Sequence, residues 1–222
     1  MNGQRERPPE AAGSGGQVAA VLLAAGGSTR LGEPKALLTD ADGVPRVVRV
    51  ARDLAAAGCA PVLVVVGAQA PAVGAALDGE PVHVVTHAGW AAGMGSSIAA
   101  GVTAAMGLPA AARAGALLIA PCDMPGATAA HLAWLVEASG GGTWRVASGY
   151  ADGARGIPAV LPRHDWPALQ ALDGETGARA LLRGPDVAIV PLADGDDDLD
   201  TPGAVVAWRR RTAPAHAPSP SP

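Results

Sequence analysis

The apolar run of residues 18–22 leads straight into Leu23-Ala24-Ala25-Gly26-Gly27-Ser28-Thr29-Arg30-Leu31-Gly32-Glu33-Pro34-Lys35. No other stretch limits the possible folds as strongly. A short apolar run that ends in glycine has the pattern of a buried strand opening on a turn. Gly26, Gly27 and Gly32 permit positive φ and let backbone N–H groups approach an anion closely. Ser28 and Thr29 add hydroxyl donors, and Arg30 and Lys35 add positive charge. These are the parts of a loop that holds a polyphosphate at the end of a first strand.

Lys35 is the only lysine among sixteen Lys and Arg residues. An ammonium is a compact point charge on a flexible stem, where a guanidinium is a planar fork. Its place at the end of a glycine-rich loop favours a phosphate contact over a solvated surface lysine. Two commoner phosphate motifs fail on spacing. Gly27 and Gly32 have the separation of a P-loop, but Glu33 and Pro34 stand where that loop needs Lys and Ser or Thr. Gly93-Met94-Gly95-Ser96-Ser97-Ile98 begins like a dinucleotide fingerprint, yet Ile98 is too bulky for its third small position.

The rest of the chain alternates strand and helix patterns. A helix is predicted from Pro45 to about Ala57, ended by Gly58. Val62-Leu63-Val64-Val65-Val66 reads as a strand buried on both faces. A short helix near 71–77, a strand at 82–85 and a small-residue helix opened by Ser96 and Ser97 and running to about Met106 follow, then a strand at 117–120. Two further strands at 144–149 and 157–161 flank a polar turn at 152–156, and Thr201-Pro202 starts a last helix through about Arg211. The expected fold is α/β: a three-layer, Rossmann-like, doubly wound and mostly parallel sheet with right-handed crossovers. A polar arm over 1–17 and a Pro/Ala/Ser tail over 212–222 are expected to be disordered on either side of one domain, 18–211.

Aromatics make up 3% of the chain and Phe is absent, so Val, Leu and Ala must fill the core. A net charge of -4 with no basic block argues against a nucleic-acid partner. No apolar run approaches the roughly 20 residues that span a bilayer, and the N-terminal segment lacks the apolar core of a signal peptide. Cys59 and Cys122 are too few for a disulfide scaffold and too far apart for a C-x-x-C pair, which suits a reduced cytoplasm.

The strand at 117–120 delivers Pro121-Cys122-Asp123-Met124-Pro125 to the sheet's C-terminal edge, where open α/β sheets bind ligands. Asp123 there suits Mg²⁺, which one or two carboxylates and substrate phosphates commonly hold; the alternative is a helix cap. Cys122 has no neighbouring His and reads as a small buried residue. The acidic run from Asp194 ends at Asp200-Thr201-Pro202, so that Asp198 or Asp200 is held at a defined place and could face the same metal. Ser96 and Ser97 suit either an N-cap or a ligand contact. Arg179 could reach an acceptor phosphate or form a structural ion pair.

The loop from Leu23 to Lys35 resembles the signature of the nucleotidyltransferase superfamily that includes sugar-phosphate nucleotidylyltransferases. The ordered set of 89–97, 121–125, 174–182 and 198–202 resembles its molybdenum-cofactor branch, the MobA-like NTP transferases, and within it the MocA-like molybdenum cofactor cytidylyltransferases. The resemblance implies a Mg²⁺-dependent enzyme that moves CMP from CTP onto the phosphate of molybdopterin and releases pyrophosphate, with a molybdenum hydroxylase as a possible client. It implies catalytic roles for Arg30, Lys35 and Asp123, and metal ligation by Asp123 and Asp200. Nucleotide contacts would come from Leu23, Ala24, Ala25, Gly26, Gly27, Ser28, Gly93, Gly95, Ser96 and Ser97. Gly156 and Pro158 would border the acceptor with Arg179; Ile157 stands where similar proteins place a polar residue. The Ala24-Ala25-Gly26 form resembles the cytidylyltransferases more than the guanylyltransferases. Other members of the fold act on sugar phosphates or phospholactate, or are dye or quinone reductases using nicotinamide cofactors. A non-catalytic molybdenum cofactor carrier is the remaining alternative.

Overall fold

Val18, Ala20, Leu22 and Ala24 pack into one apolar cluster, while Ala19, Val21, Leu23 and Ala25 pack into another. That two-residue alternation is a strand with both faces buried. In this computed structural model, which describes residues 16–28, 31–192 and 198–212, the strand is β1 (Gln17–Ala24). It is followed by α1 (Arg46–Ala56), β2 (Val62–Val66), α2 (Ala70–Ala76), β3 (His83–Thr86), α3 (Met94–Gly107), β4 (Ala114–Pro121) and α4 (Ala129–Ala138). Next come β5 (Arg145–Gly149), β6 (Arg155–Pro162), α5 (Trp166–Gln170), α6 (Arg179–Leu182), β7 (Val187–Pro191) and α7 (Pro202–Thr212).

The seven strands run in the order β3-β2-β1-β4-β6-β5-β7. The pairs β1/β2, β1/β4, β2/β3 and β5/β7 are parallel, and β6 is antiparallel to both β4 and β5. Helices α1 and α4 cover one face with Val47, Leu54, Leu132 and Leu135; α3 and α5 cover the other with Ile98, Val102, Trp166 and Leu169. This is the three-layer, mostly parallel α/β fold that the alternating pattern implies. Strand order reverses direction at β1 and β4, where an open sheet leaves a crevice outside its carboxyl ends. Among the described residues no helix is long and apolar enough to cross a membrane.

Four details differ from the sequence reading. Strand β7 is formed by the apolar run Val187-Ala188-Ile189-Val190-Pro191, which the sequence reading did not assign; it is an edge strand with Ala188, Ile189 and Pro191 exposed. Helix α3 opens at Met94 with Gly93 as N-cap, two residues before the expected serines, because Gly93 alone takes the φ of 117° needed there. Arg155 and Gly156, read as turn residues, already belong to β6. Gln17 and Thr212, placed in the arm and the tail, belong to β1 and α7; most of both segments lies outside the described residues.

Candidate active site

Strand β1 ends against the cavity. Leu23, Ala24 and Ala25 are buried, whereas Gly26 is exposed and a Cβ built on it would meet nothing. The backbone beyond β1 is therefore open to an approaching ligand. Positive φ falls on Ser28 (50°) and Gly32 (78°), not on Gly26 or Gly27. The strained Ser28 is held because its hydroxyl accepts the Lys35 backbone N–H at 2.9 Å and its carbonyl accepts from Leu31 and Gly32. The loop thus turns back on itself and carries Lys35 to the floor of the crevice. Thr29 and Arg30 lie outside the described residues.

Strand β4 delivers the second part. Asp123 follows Pro121 and Cys122, and its Oδ2 accepts from Lys35 Nζ at 2.8 Å. Asp200 accepts from the same ammonium through Oδ1. The backbone registers this convergence independently: Leu199 N–H donates to the Asp123 carbonyl at 3.1 Å, so the segment bearing Asp200 is stitched to the loop bearing Asp123. Burial opposes charge on Lys35, but the two carboxylates outweigh it and hold the ammonium's pKa above its ordinary value. Burial, reinforced by Asp123, pushes the Cys122 thiol up to about 12, so it is no nucleophile. Asp198 is exposed, two residues before Asp200.

These groups line a cavity of about 490 Å³, within the range of small-molecule sites. Leu23, Ala24, Ala25, Gly26 and Ser28 form one wall, with Lys35, Asp123 and Asp200 at the polar end. Trp90, Gly93, Met94, Ser97 and Glu175 form the other. Trp90 is seated directly on Gly67, where a Cβ would come within 2.6 Å of its own Cβ. Gly95 and Ser96 sit behind the wall. A Cβ on Gly95 would lie 2.5 Å from the Thr176 carbonyl oxygen, and the Ser96 hydroxyl donates to the Gly93 carbonyl and meets His87 Nε2 at 3.0 Å. Gly27, beside Gly26, is not part of the lining.

The acceptor residues read from sequence lie elsewhere. Gly156 is covered by the Tyr150 ring, Pro158 is buried with its carbonyl accepting from Ser148, and Arg179 is exposed. None of the three lines the cavity. The sequence reading missed Trp90, Met94 and Glu175 as wall residues, although they flank its own motifs. It also missed Arg46, the first residue of α1, whose Nε donates to the Cys122 carbonyl at 3.0 Å and whose second guanidinium nitrogen donates to the Met124 carbonyl at 2.7 Å. Only its position, a cation four and eight residues before Val50 and Leu54 on the apolar face of an amphipathic helix, could have drawn attention.

Asp123 and Asp200 are two hard-oxygen donors gathered on one cation. Among the described residues no group of three or more His, Cys, Asp or Glu side chains could hold a metal by itself. That pair suits an ion completed by substrate phosphates rather than by a protein cage.

A model of the MobA-like NTP transferase domain matches residues 20–190. The chain is 35% identical over 198 residues to a nicotine blue oxidoreductase of Paenarthrobacter nicotinovorans, covering 83% of this chain and 92% of that protein. Among solved structures it is similar to Mycobacterium tuberculosis Rv0371c in complex with manganese, at 25% identity and a TM-score of 0.69 over 87% of this chain and 98% of that one. A nucleotidyl transferase from Methanothermobacter shares the fold, with a TM-score of 0.72 and 23% identity over 88% and 97% of the two chains.

Proposed function

Since the chain belongs to the MobA-like NTP transferase domain family, we propose that it transfers a nucleoside monophosphate from CTP onto the phosphate of a molybdopterin-type acceptor. In such a step an acceptor phosphate oxygen attacks the α-phosphorus, the bond to the bridging oxygen breaks, and pyrophosphate leaves with the electron pair. No covalent enzyme intermediate is required, so the protein's part is positioning and charge stabilisation.

The observation that carries this reading is the convergence of Lys35, Asp123 and Asp200 at the mouth of a glycine-rich loop. Lys35 supplies a mobile point charge for the growing negative charge on the departing pyrophosphate. Backbone N–H groups from Gly26 to Ser28, with Arg30, are assigned to the phosphates. Asp123 and Asp200 are assigned to a Mg²⁺ ion, which when bound neutralises phosphate charge and lowers the barrier to displacement. CTP as the donor rests on the Ala24-Ala25-Gly26 form of the loop. Gly156, Pro158 and Arg179 keep the acceptor role only if the acceptor reaches beyond the cavity toward β6.

A second reading has its own support. The 35% identical relative is a nicotine blue oxidoreductase, so reduction of a dye or quinone by a nicotinamide cofactor is the competing activity. Pyrophosphate release from CTP, GTP, ATP and UTP, measured with Mg²⁺ and molybdopterin beside Asp123→Ala, separates the two. Release with CTP that vanishes in the variant supports the transferase. NADPH oxidation by nicotine blue, unaffected by chelator and without pyrophosphate release, overturns it.

A further inference from the structure

Arg46 violates local physics in two ways. It opens α1, where the positive end of the helix dipole disfavours a cation, and it is only 4% exposed. Its nitrogens meet main-chain carbonyls rather than carboxylates, and burial lowers its pKa without removing the charge of a guanidinium. Consistency across levels fails most often where function demands it.

The carbonyls it binds belong to Cys122 and Met124, the residues on either side of Asp123. A planar fork can grip two carbonyls at once, here the peptide that enters Asp123 and the peptide that follows Met124, so the turn bearing the Asp123 carboxylate is pinned on both sides. On its other side the guanidinium carbon lies 5.9 Å from the centroid of Trp208, within cation–π range. Trp208 is 3% exposed and packs with Leu38, Leu199 and Val205, so the same cluster seats α7 and the residue immediately before Asp200.

We propose that Arg46 is a positioning residue: it locks the Asp123 loop and, through Trp208, the α7 segment behind Asp200, so that both carboxylates stay on Lys35. This role deepens the transferase reading and rests on it for its catalytic consequence. Its geometric consequence can be read without any substrate.

Lys35 is the chain's only lysine, so full-length protein labelled with ¹³C,¹⁵N-lysine gives one side-chain signal reporting the ammonium between the carboxylates. In Arg46→Met and Arg46→Gln, neither of which adds a lysine, the proposal expects that signal to move toward the shift of free lysine. It also expects kcat for pyrophosphate release to fall about 10–100-fold, the usual loss when a residue orienting a site's ligands is removed. The KM for nucleotide should change by less than about threefold, because the phosphate loop is untouched. Arg46→Gln keeps a hydrogen-bond donor but has no fork to span two carbonyls, and it serves as the deciding variant if Arg46→Met does not fold. A folded Arg46→Gln with the wild-type lysine signal overturns the proposal, since a residue needed only for stability would lower the melting temperature and leave Lys35 in place. If the wild type shows the held lysine signal and releases no pyrophosphate with any nucleotide, the transferase reading fails while the lysine signal of the variants still decides the role of Arg46.

Discussion

Lys35 does two jobs that its charge makes inseparable. Its backbone N–H closes the loop on Ser28, and its ammonium holds Asp123 and Asp200 together. Lys35→Gln keeps the stem and removes the charge. It should lower kcat by about 10²–10³-fold, the scale seen when a preorganised donor to a developing anion is lost, and weaken nucleotide binding far less. Initial-rate kinetics beside equilibrium nucleotide binding checks this, and equal losses in both would mean that Lys35 serves binding alone. The raised pKa also has a sign for stability. A cation whose pKa is higher folded than unfolded stabilises fully below its unfolded value, near 10.5, and that contribution disappears as pH rises through the folded value. Urea midpoints between pH 10 and 12 should therefore fall more steeply in the wild type than in Lys35→Gln.

At the scale of elements, His131 of α4 and Ser148 of β5 join the helical layer to the sheet. Ser148 donates to the Pro158 carbonyl at 2.6 Å, so by the hydrogen-bond network His131 carries its proton on Nε2 and donates to Ser148 at 2.8 Å. Burial lowers the pKa of His131. A base depressed in the folded state leaves the unfolded chain binding more protons, so stability is fully present above the unfolded value near 6.5 and declines as pH falls below it. His131→Gln should flatten the pH dependence of the urea midpoint between pH 6.5 and 5, and an unchanged slope would show that other groups set it.

Gly95 makes a different element-level contact, with α3 pressed on the 173–176 loop. Gly95→Ala puts a methyl group 2.5 Å from the Thr176 oxygen and 2.7 Å from the Asp173 oxygen, against backbone that cannot rotate away. It should cost about 1–3 kcal/mol, the range for overpacking, and displace Glu175 from the cavity wall. Thermal unfolding with nucleotide KM measured alongside tests both halves.

These elements also mark what the sequence discloses. The signature loop was legible because glycine, hydroxyl and cation chemistry is local, and so were β2 and β4, whose apolar runs have one physical meaning. Strand β7 was not assigned although Val187 to Pro191 is just such a run: it is short, ends in proline and follows α6 closely, and only its parallel pairing with β5 identifies it as the edge strand. The pairing of Lys35 with residues 88 and 165 positions away and the grip of Arg46 on Cys122 and Met124 exist only after β1 and β4 pair and α7 folds back. No spacing encodes them.

For the whole molecule, the site lies where the two halves of the sheet meet. Strands β1, β2 and β3 bring the phosphate loop and the Trp90 wall; β4 brings Asp123; the chain beyond β7 brings Asp200. A ligand bridging these pieces binds only the folded chain, so it must raise the unfolding temperature by mass action. At a nucleotide–Mg²⁺ concentration of about 100 Kd the gain is about 2.7 kcal/mol. For a chain of this size each kcal/mol shifts the midpoint by about 2–4 °C, giving an expected rise of about 5–10 °C. The rise should require nucleotide and metal together, because Asp123 and Asp200 form an incomplete cation site until phosphate oxygens join them. It should be lost in Asp123→Ala. Differential scanning calorimetry with each ligand alone and both combined decides the point. A full shift with nucleotide alone would mean that the loop amides and Lys35 hold the phosphates without a cation, and a shift with NADPH instead would transfer the site to the oxidoreductase reading.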